Sequence, residues 1–229
     1  MKKEGILSSN QLKVIALIAM TLDHLGVQIF CDVLFFRIIG RIAFPIFAYM
    51  IAEGCKFTRN RRRYLLNILS IAFLCQIVYF IFLKSLYQCI FVTFTLSVMG
   101  IYIIEYANEK KDNKHSVLAV GYIFLIYFAA EIVPGIFKNT DFYIDYGFFG
   151  ICLPMLIYFA NNRTKKLFML TAGLILVALK FGGIQWFSLV SIIPMALYNG
   201  KRGKMNMKYL FYIYYPLHLV VIYLISVII

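Results

Sequence analysis

Six ionisable side chains fall within two consecutive apolar stretches near the start of the chain. Lys13, Asp23 and His24 lie in the first, at about 11–31, and Arg37, Arg41 and Glu53 in the second, at about 34–55. Where such stretches cross a membrane, each ionisable group costs at least about 2.5–3.5 kcal/mol at mid-helix, so it faces a cavity or a partner and is a candidate for function. A histidine beside a carboxylate can take and return a proton, and arginines can stabilise a developing negative charge. Lys13 and His24 are about three helical turns apart, which leaves them on nearly one face and about 16 Å apart along the axis. Arg37 and Arg41, four residues apart, stack on one face. About two residues join the stretches, so the two helices should be antiparallel neighbours. At about 1.5 Å per residue, His24 and Arg41 then share a depth about 10 Å below the outer end, with Lys13 and Glu53 both close to the cytoplasmic end. Pro45 cannot donate to the carbonyl of Arg41, so a kink is expected beside that arginine. Simpler readings stand beside these. Arg37 and Lys13 can snorkel to the interfaces, and Asp23 can pair with Arg41 as a purely structural link.

A second polar group lies in the last apolar stretch, F-Y-I-Y-Y-P-L-H (211–218). Pro216 frees the carbonyl of Tyr212, and His218 falls about 15 Å from the cytoplasmic end, near mid-bilayer. Either His218 belongs to the site, or it hydrogen-bonds a neighbour in a kinked aromatic helix. Asp145, Tyr146, Gln185 and Trp186 crowd the outer ends of later stretches, where an aromatic belt accounts for the Tyr and Trp. Glu105 and Glu131 fall near span ends and read as interface residues.

The elements that must position these groups follow from composition. Of 229 residues, 62% are hydrophobic and 14% charged, and mean hydropathy is +0.83. A globular domain is about 45–50% apolar and about 25% charged, so a soluble fold is excluded. Nine apolar segments can be drawn, at about 11–31, 34–55, 65–83, 89–106, 116–133, 146–160, 167–181, 184–199 and 208–229. A span needs roughly 20 apolar residues, so nine spans use nearly the whole chain. The expected fold is an all-α, polytopic membrane helix bundle of about nine transmembrane helices, one domain over 1–229, with the N-terminus inside. The boundary at Phe181-Gly182-Gly183 is the weakest, and merging its two segments would give eight spans.

The net charge of +13 reports topology rather than nucleic-acid binding, because the basic residues cluster between apolar runs. With the N-terminus in the cytoplasm, the inside holds Lys2 and Lys3, Lys56 with Arg59 and Arg61–Arg63, Lys110, Lys111 and Lys114, Arg163, Lys165 and Lys166, and Lys201, Arg202, Lys204 and Lys208. The outside holds Lys84, Lys138 and Lys180. A reporter fused after Ile229 is therefore expected to read the non-cytoplasmic side, and a cytoplasmic reading would defeat the nine-span count. Five cysteines show no metal-ligand spacing and no disulfide framework, so no metal is expected. Lys2 and Lys3 before an apolar run look like a signal peptide, but Asp23, His24 and the lack of a small-x-small site favour an uncleaved first helix.

Several stretches in order then carry a resemblance: Lys13-x10-His24 within M-T-L-D-H-L-G, R-I-I-G-R-I-A-F-P-I-F-A-Y-M-I-A-E-G (37–54), D-Y-G-F-F-G (145–150), L-Y-N-G-K-R-G (197–203) and F-Y-I-Y-Y-P-L-H-L (211–219). From about residue 10 to the end, the chain resembles the TraX family, named for a conjugative-plasmid protein implicated in N-terminal acetylation of pilin. That family looks related to the acyltransferase-3 type of membrane acyltransferase, in which a basic residue and a histidine in the first span mark the catalytic helix. Here these are Lys13 and His24. The arginine pair of that type has two intervening residues, whereas Arg37 and Arg41 have three.

The resemblance implies an enzyme of a bacterial inner membrane that moves an acetyl group from cytosolic acetyl-CoA to an amine or hydroxyl. The acceptor would be a pilin N-terminus or another protein or cell-envelope molecule. His24 would be the base. Asp23 or another acid would fix its tautomer, unless Asp23 holds an arginine instead. Arg41 would stabilise the oxyanion. Lys13 with Arg59, Arg61 and Arg62 would meet the coenzyme A phosphates, and Arg37, Glu53, Tyr215 and His218 complete the candidate binding set. Other readings are a proton-coupled transporter, against which no internal repeat is visible, and a non-enzymatic conjugation or secretion component, which would tolerate changes at His24 and Arg41.

Overall fold

The computed structural model describes residues 5–31, 33–203 and 208–228, without the side chains of Lys208, Tyr209 and Tyr212. Lys2, Lys3, Lys204, the Lys208 side chain and Ile229, all used in the topology argument, lie outside the described residues. The described chain is all-α. In order it forms α1 (Ser9–Gln28), α2 (Leu34–Gly40), α3 (Ala43–Phe57), α4 (Arg61–Ile81), α5 (Ile90–Lys110) and α6 (Asn113–Tyr127). A π-helical turn (Phe128–Ile132), α7 (Val133–Ile136), α8 (Gly147–Phe159) and α9 (Arg163–Phe181) follow, then a 3-10 helix (Gly183–Ser191), α10 (Ile192–Ala196) and α11 (Lys208–Ile228).

Among the described residues, four helical stretches are long and apolar enough to cross a membrane: Leu34–Phe57, Arg61–Ile81, Ile90–Lys110 and Asn113–Ile136. Shorter apolar helices cover Gly147–Phe159, Gly183–Ala196 and Ile213–Ile228. On α4, Phe73, Leu74 and Phe80 are exposed, as are Val117, Leu118, Phe124 and Leu125 on α6. Faces this apolar suit lipid rather than water. The stretch 184–199, expected as a span, is a 3-10 helix followed by one α-helical turn. Its start is set locally: α9 stops at Phe181, and Gly182 and Gly183 both take positive φ (64° and 51°), which glycine adopts at no steric cost.

The expected kink at Pro45 is an interruption. α2 ends at Gly40 and α3 begins at Ala43, because the missing N–H of Pro45 leaves the Arg41 carbonyl without its helical donor. Pro216, by contrast, sits inside a continuous α11.

The chain divides into two compact units, residues 1–50 with 162–229, and residues 51–161. In the first, Ser8 caps α1 in a capping box with Gln11. The N–H groups of Ser9 and Asn10 donate to the Lys201 and Arg202 carbonyls (2.9 and 3.1 Å), and Leu7 pairs with the 197–199 backbone. Thus the L-Y-N-G-K-R-G stretch satisfies donors that a helix start leaves open. A Cβ at Gly5 would strike the Leu197 and Tyr198 carbonyls, so glycine is needed there.

The second unit packs α4 to α8 around Phe94, Val98, Ile101, Ile126, Ile151 and Leu153. Asp145 and Tyr146, expected at the outer end of a span, sit in a loop pairing. Gln88 bridges Ile144 in parallel, and the Tyr87 hydroxyl donates to Asp145 Oδ1 (2.6 Å). Burial first, and then the Asp145 charge, push the Tyr87 hydroxyl up from its ordinary value, which keeps it a donor. Glu131, expected at an interface, accepts the Phe148 N–H in the first turn of α8 (2.9 Å), a charge placed where the helix dipole favours it.

Candidate functional site

The site is built where α1 meets α2 in the first unit. Both helices carry a glycine at the contact. A Cβ at Gly26 would lie 2.9 Å from the Phe36 Cβ, and one at Gly40 would collide with the Asp23 side chain. Small residues let membrane helices approach closely, and here the approach presses Asp23 onto α2. Its Oδ1 receives Arg41 Nη2 at 2.5 Å and Arg37 Nη1 at 3.0 Å. Arg37 does not snorkel away but turns onto this carboxylate. Arg41 Nε also donates to the Arg37 carbonyl (3.2 Å), and Nη1 to Gln185 Oε1 (3.4 Å). Two guanidiniums against one carboxylate leave an excess of one positive charge, largely shielded from solvent: the Arg41 and Asp23 side chains are 12% and 17% exposed.

Asp23 is therefore committed to the arginines, and His24, about 100° further round the helix, is held by another group. Its Nδ1 lies 2.8 Å from Nε2 of His218 on α11, with the two ring planes nearly parallel (2°). His218 Nδ1 lies 3.0 Å from the Tyr214 carbonyl. A carbonyl only accepts, so His218 Nδ1 carries the proton; in neutral His218 the Nε2 then accepts, and His24 Nδ1 must donate. This ordering leaves the proton of neutral His24 on Nδ1 and the lone pair on Nε2. Around the pair, Tyr214 stacks on His218 (5.4 Å, 9°), and Tyr215 sets its ring edge-on to both histidines. Thr21 donates to the Leu17 carbonyl, so its 2.7 Å contact with Tyr214 runs from the tyrosine hydroxyl to Thr21 Oγ1.

With this geometry in hand, comparison with known proteins is decisive for the family. The model of the family described as TraX protein matches residues 8–226. The chain belongs to the TraX family. It is 26% identical over 241 aligned positions to the probable fimbrial assembly protein FimC, serogroup H1, of Dichelobacter nodosus, with 93% of each chain covered. A 38-residue stretch, 17% of this chain and 15% of the relative, is 50% identical to an uncharacterized protein of Rickettsia prowazekii (strain Madrid E). No solved structure matches.

In the first unit of this TraX chain, Lys13 lies along α1 from the histidine pair. Lys13 places its Nζ over the Phe211 ring (5.4 Å), toward the starts of α1 and α11. Arg163 bonds the Ala196 carbonyl at that same end, beside the strand-like pairing of Leu7 with Leu197. Lys166, expected in a loop, is instead buried, with Nζ 5.8 Å from the Tyr49 ring centre. Glu53, Arg59, Arg61 and Arg62 belong to the second unit. There Glu53 is buried, and Arg59 and Arg62 are exposed. Arg61 pairs with Glu105 Oε1 at 2.9 Å. Among the described residues no cluster of His, Cys, Asp and Glu could hold a metal ion.

Sequence reasoning left the role of His218 open and gave none to Thr21, Tyr214 or Gly40. A signal was present in the spacing: Thr21 and His24 are three apart on α1, and Tyr214 and His218 four apart on α11. Each spacing puts two polar groups on one face of an otherwise apolar helix.

Proposed function

We propose that this TraX protein is a membrane-embedded acyltransferase that moves an acetyl group from cytosolic acetyl-CoA to an amine or hydroxyl acceptor. The observation that carries the reading is the hydrogen-bond chain Tyr214–His218–His24, which presents a histidine nitrogen lone pair next to a half-buried patch of excess positive charge. His24 Nε2 takes the proton of the acceptor N–H or O–H as that nitrogen or oxygen bonds the acetyl carbonyl carbon. The carbonyl oxygen becomes an oxyanion facing the Arg37–Asp23–Arg41 group, whose net charge favours it. The C–S bond then breaks, the thiolate receives the proton from His24, and acetylated acceptor and coenzyme A result. His218 acts as a positioning residue: it holds the ring and fixes which nitrogen carries the proton.

The donor reaches this centre from the end of the first unit that carries Lys13, Arg163, Lys201 and Arg202. A pilin N-terminus, or another protein or envelope molecule, serves as acceptor. Family membership supports this reading, as does the relative described as a fimbrial assembly protein. Incubation of the purified protein with radiolabelled acetyl-CoA tests it. Saturable binding with slow hydrolysis, and transfer once an amine acceptor is added, is the expected result. Absence of both would favour the proton-coupled transporter.

The phosphate contacts make a separate prediction. Lys13→Ala, and neutralisation of Lys201 with Arg202, should each raise the KM for acetyl-CoA by about tenfold, since hydrogen bonds to charged groups contribute about 1.5–3 kcal/mol and these are partly screened. The effect should shrink at high salt. Steady-state kinetics checks it, and an unchanged KM in correctly inserted variants would confine these residues to orientation in the membrane.

A further inference from the structure

Three buried side chains of the 3-10 helix lie outside the mechanism just described. Gln185, Ser188 and Ser191 are 4%, 0% and 0% exposed. A 3-10 helix has three residues per turn, so positions 185, 188 and 191 stand on one line along it. Gln185 Oε1 accepts from Arg41, yet Gln185 Nε2, Ser188 Oγ and Ser191 Oγ are shielded from solvent and reach no hydrogen-bond partner among the described residues. Serine and threonine hydroxyls of the longer helices behave differently. Thr21, Ser70, Thr95, Ser97 and Thr171 each bond back to the carbonyl four residues earlier. A buried polar group without a partner is costly and calls for an explanation such as a ligand.

We propose that Gln185, Ser188 and Ser191 form a polar track for the pantetheine arm of the donor. This inference rests on the acyltransfer reading above and extends it to the part of the donor that lies between nucleotide and thioester. Two features point to an extended chain bearing amides. At about 2.0 Å rise per residue, the three groups are spaced by about 6 Å and span about 12 Å. The amide groups of a pantetheine arm repeat every 5 Å or so, a standard extended residue plus one methylene. The track also has the right ends. Gln185 touches Arg41, where the thioester carbonyl must lie. Ser191 leads through α10 to the end of the unit where Leu7 pairs with Leu197 and where Lys201 and Arg202 receive the start of α1.

The test compares three donors in a displacement assay against labelled acetyl-CoA: acetyl-CoA, acetyl-pantetheine, and S-acetyl-N-acetylcysteamine, which keeps one amide. Wild-type protein should bind acetyl-pantetheine at least about tenfold more tightly than the short thioester, two net hydrogen bonds being the difference. Ser188→Ala and Ser191→Ala should each lower that ratio by about 3- to 10-fold. Neither substitution breaks a bond within the protein, so melting temperature should not fall. Equal binding of the long and short donors, or variants that leave their ratio unchanged while transfer proceeds, would overturn the track and leave the acyltransfer reading standing. A track-dependent ratio that persists in a protein without transfer would instead remove the catalytic reading and keep the track. If none of the three donors binds, both fall.

Discussion

His24→Ala is expected to lower acetyl-transfer turnover by about 10²–10⁴, the range for losing a positioned general base. Donor affinity should change little, because Lys13 at the phosphate end lies about 16 Å along α1. His218→Ala should lower turnover by a smaller factor, about 10- to 100-fold, as for other partners that hold and orient a working histidine. The donor–acceptor order of the chain makes a sharper distinction. His24 Nδ1 donates to His218 Nε2 (2.8 Å), so position 218 must supply an acceptor. His218→Gln offers a carbonyl oxygen and should recover part of the turnover, whereas His218→Leu should not. A purely structural role would make the two variants alike. Each variant must remain monodisperse in detergent, since a parted α1–α11 contact would imitate a lost base. A well-folded His24→Ala protein that transfers acetyl groups at near wild-type rate would sink the catalytic assignment.

Removal of the Asp23 carboxylate should have the largest effect on stability. Asp23 lies between Arg37 and Arg41 at 3.0 and 2.5 Å, and without it two like charges would face each other in a poorly solvated contact. Leaving buried charges uncompensated costs about 3–5 kcal/mol. The lower end applies here, because the Arg37 side chain is 29% exposed and finds some solvent. Asp23→Ala should therefore melt well below wild type in a thermal unfolding assay. Combining it with Arg41→Met should recover part of the loss by removing one of the stranded charges. Gly40→Ala should fall in the same direction, as its methyl group would displace Asp23. A single Asp23→Ala variant with wild-type melting behaviour would show that the ion triad contributes nothing to the fold.

The family and the membrane character of this chain could be read from residue order and composition. So could a disturbance beside Arg41, expected as a kink where the missing Pro45 N–H acts on a carbonyl four residues away, whereas the boundary at Phe181, set by two adjacent glycines, was the weakest one drawn. These are local effects, written in neighbouring residues. The ionisable groups of the first two segments were also visible, because a charge in an apolar run stands out wherever the helix turns.

Their partners were decided by tertiary structure. Asp23 had two roles open to it, fixing the His24 tautomer or holding an arginine, and the close approach at Gly40 selects the arginines. His24 and His218 are 194 residues apart, and no periodicity links them. The 3-10 conformation of 183–191 was equally hidden, since an apolar segment flanked by glycines fits an α-helical span as well. With it went the alignment of Gln185, Ser188 and Ser191. Sequence pattern reports which face of a helix is polar. Which residue of a distant helix meets that face depends on how packed helices rotate about and slide along one another, and that is set by the fit of residues such as Gly26, Gly40 and Phe36 across the contact.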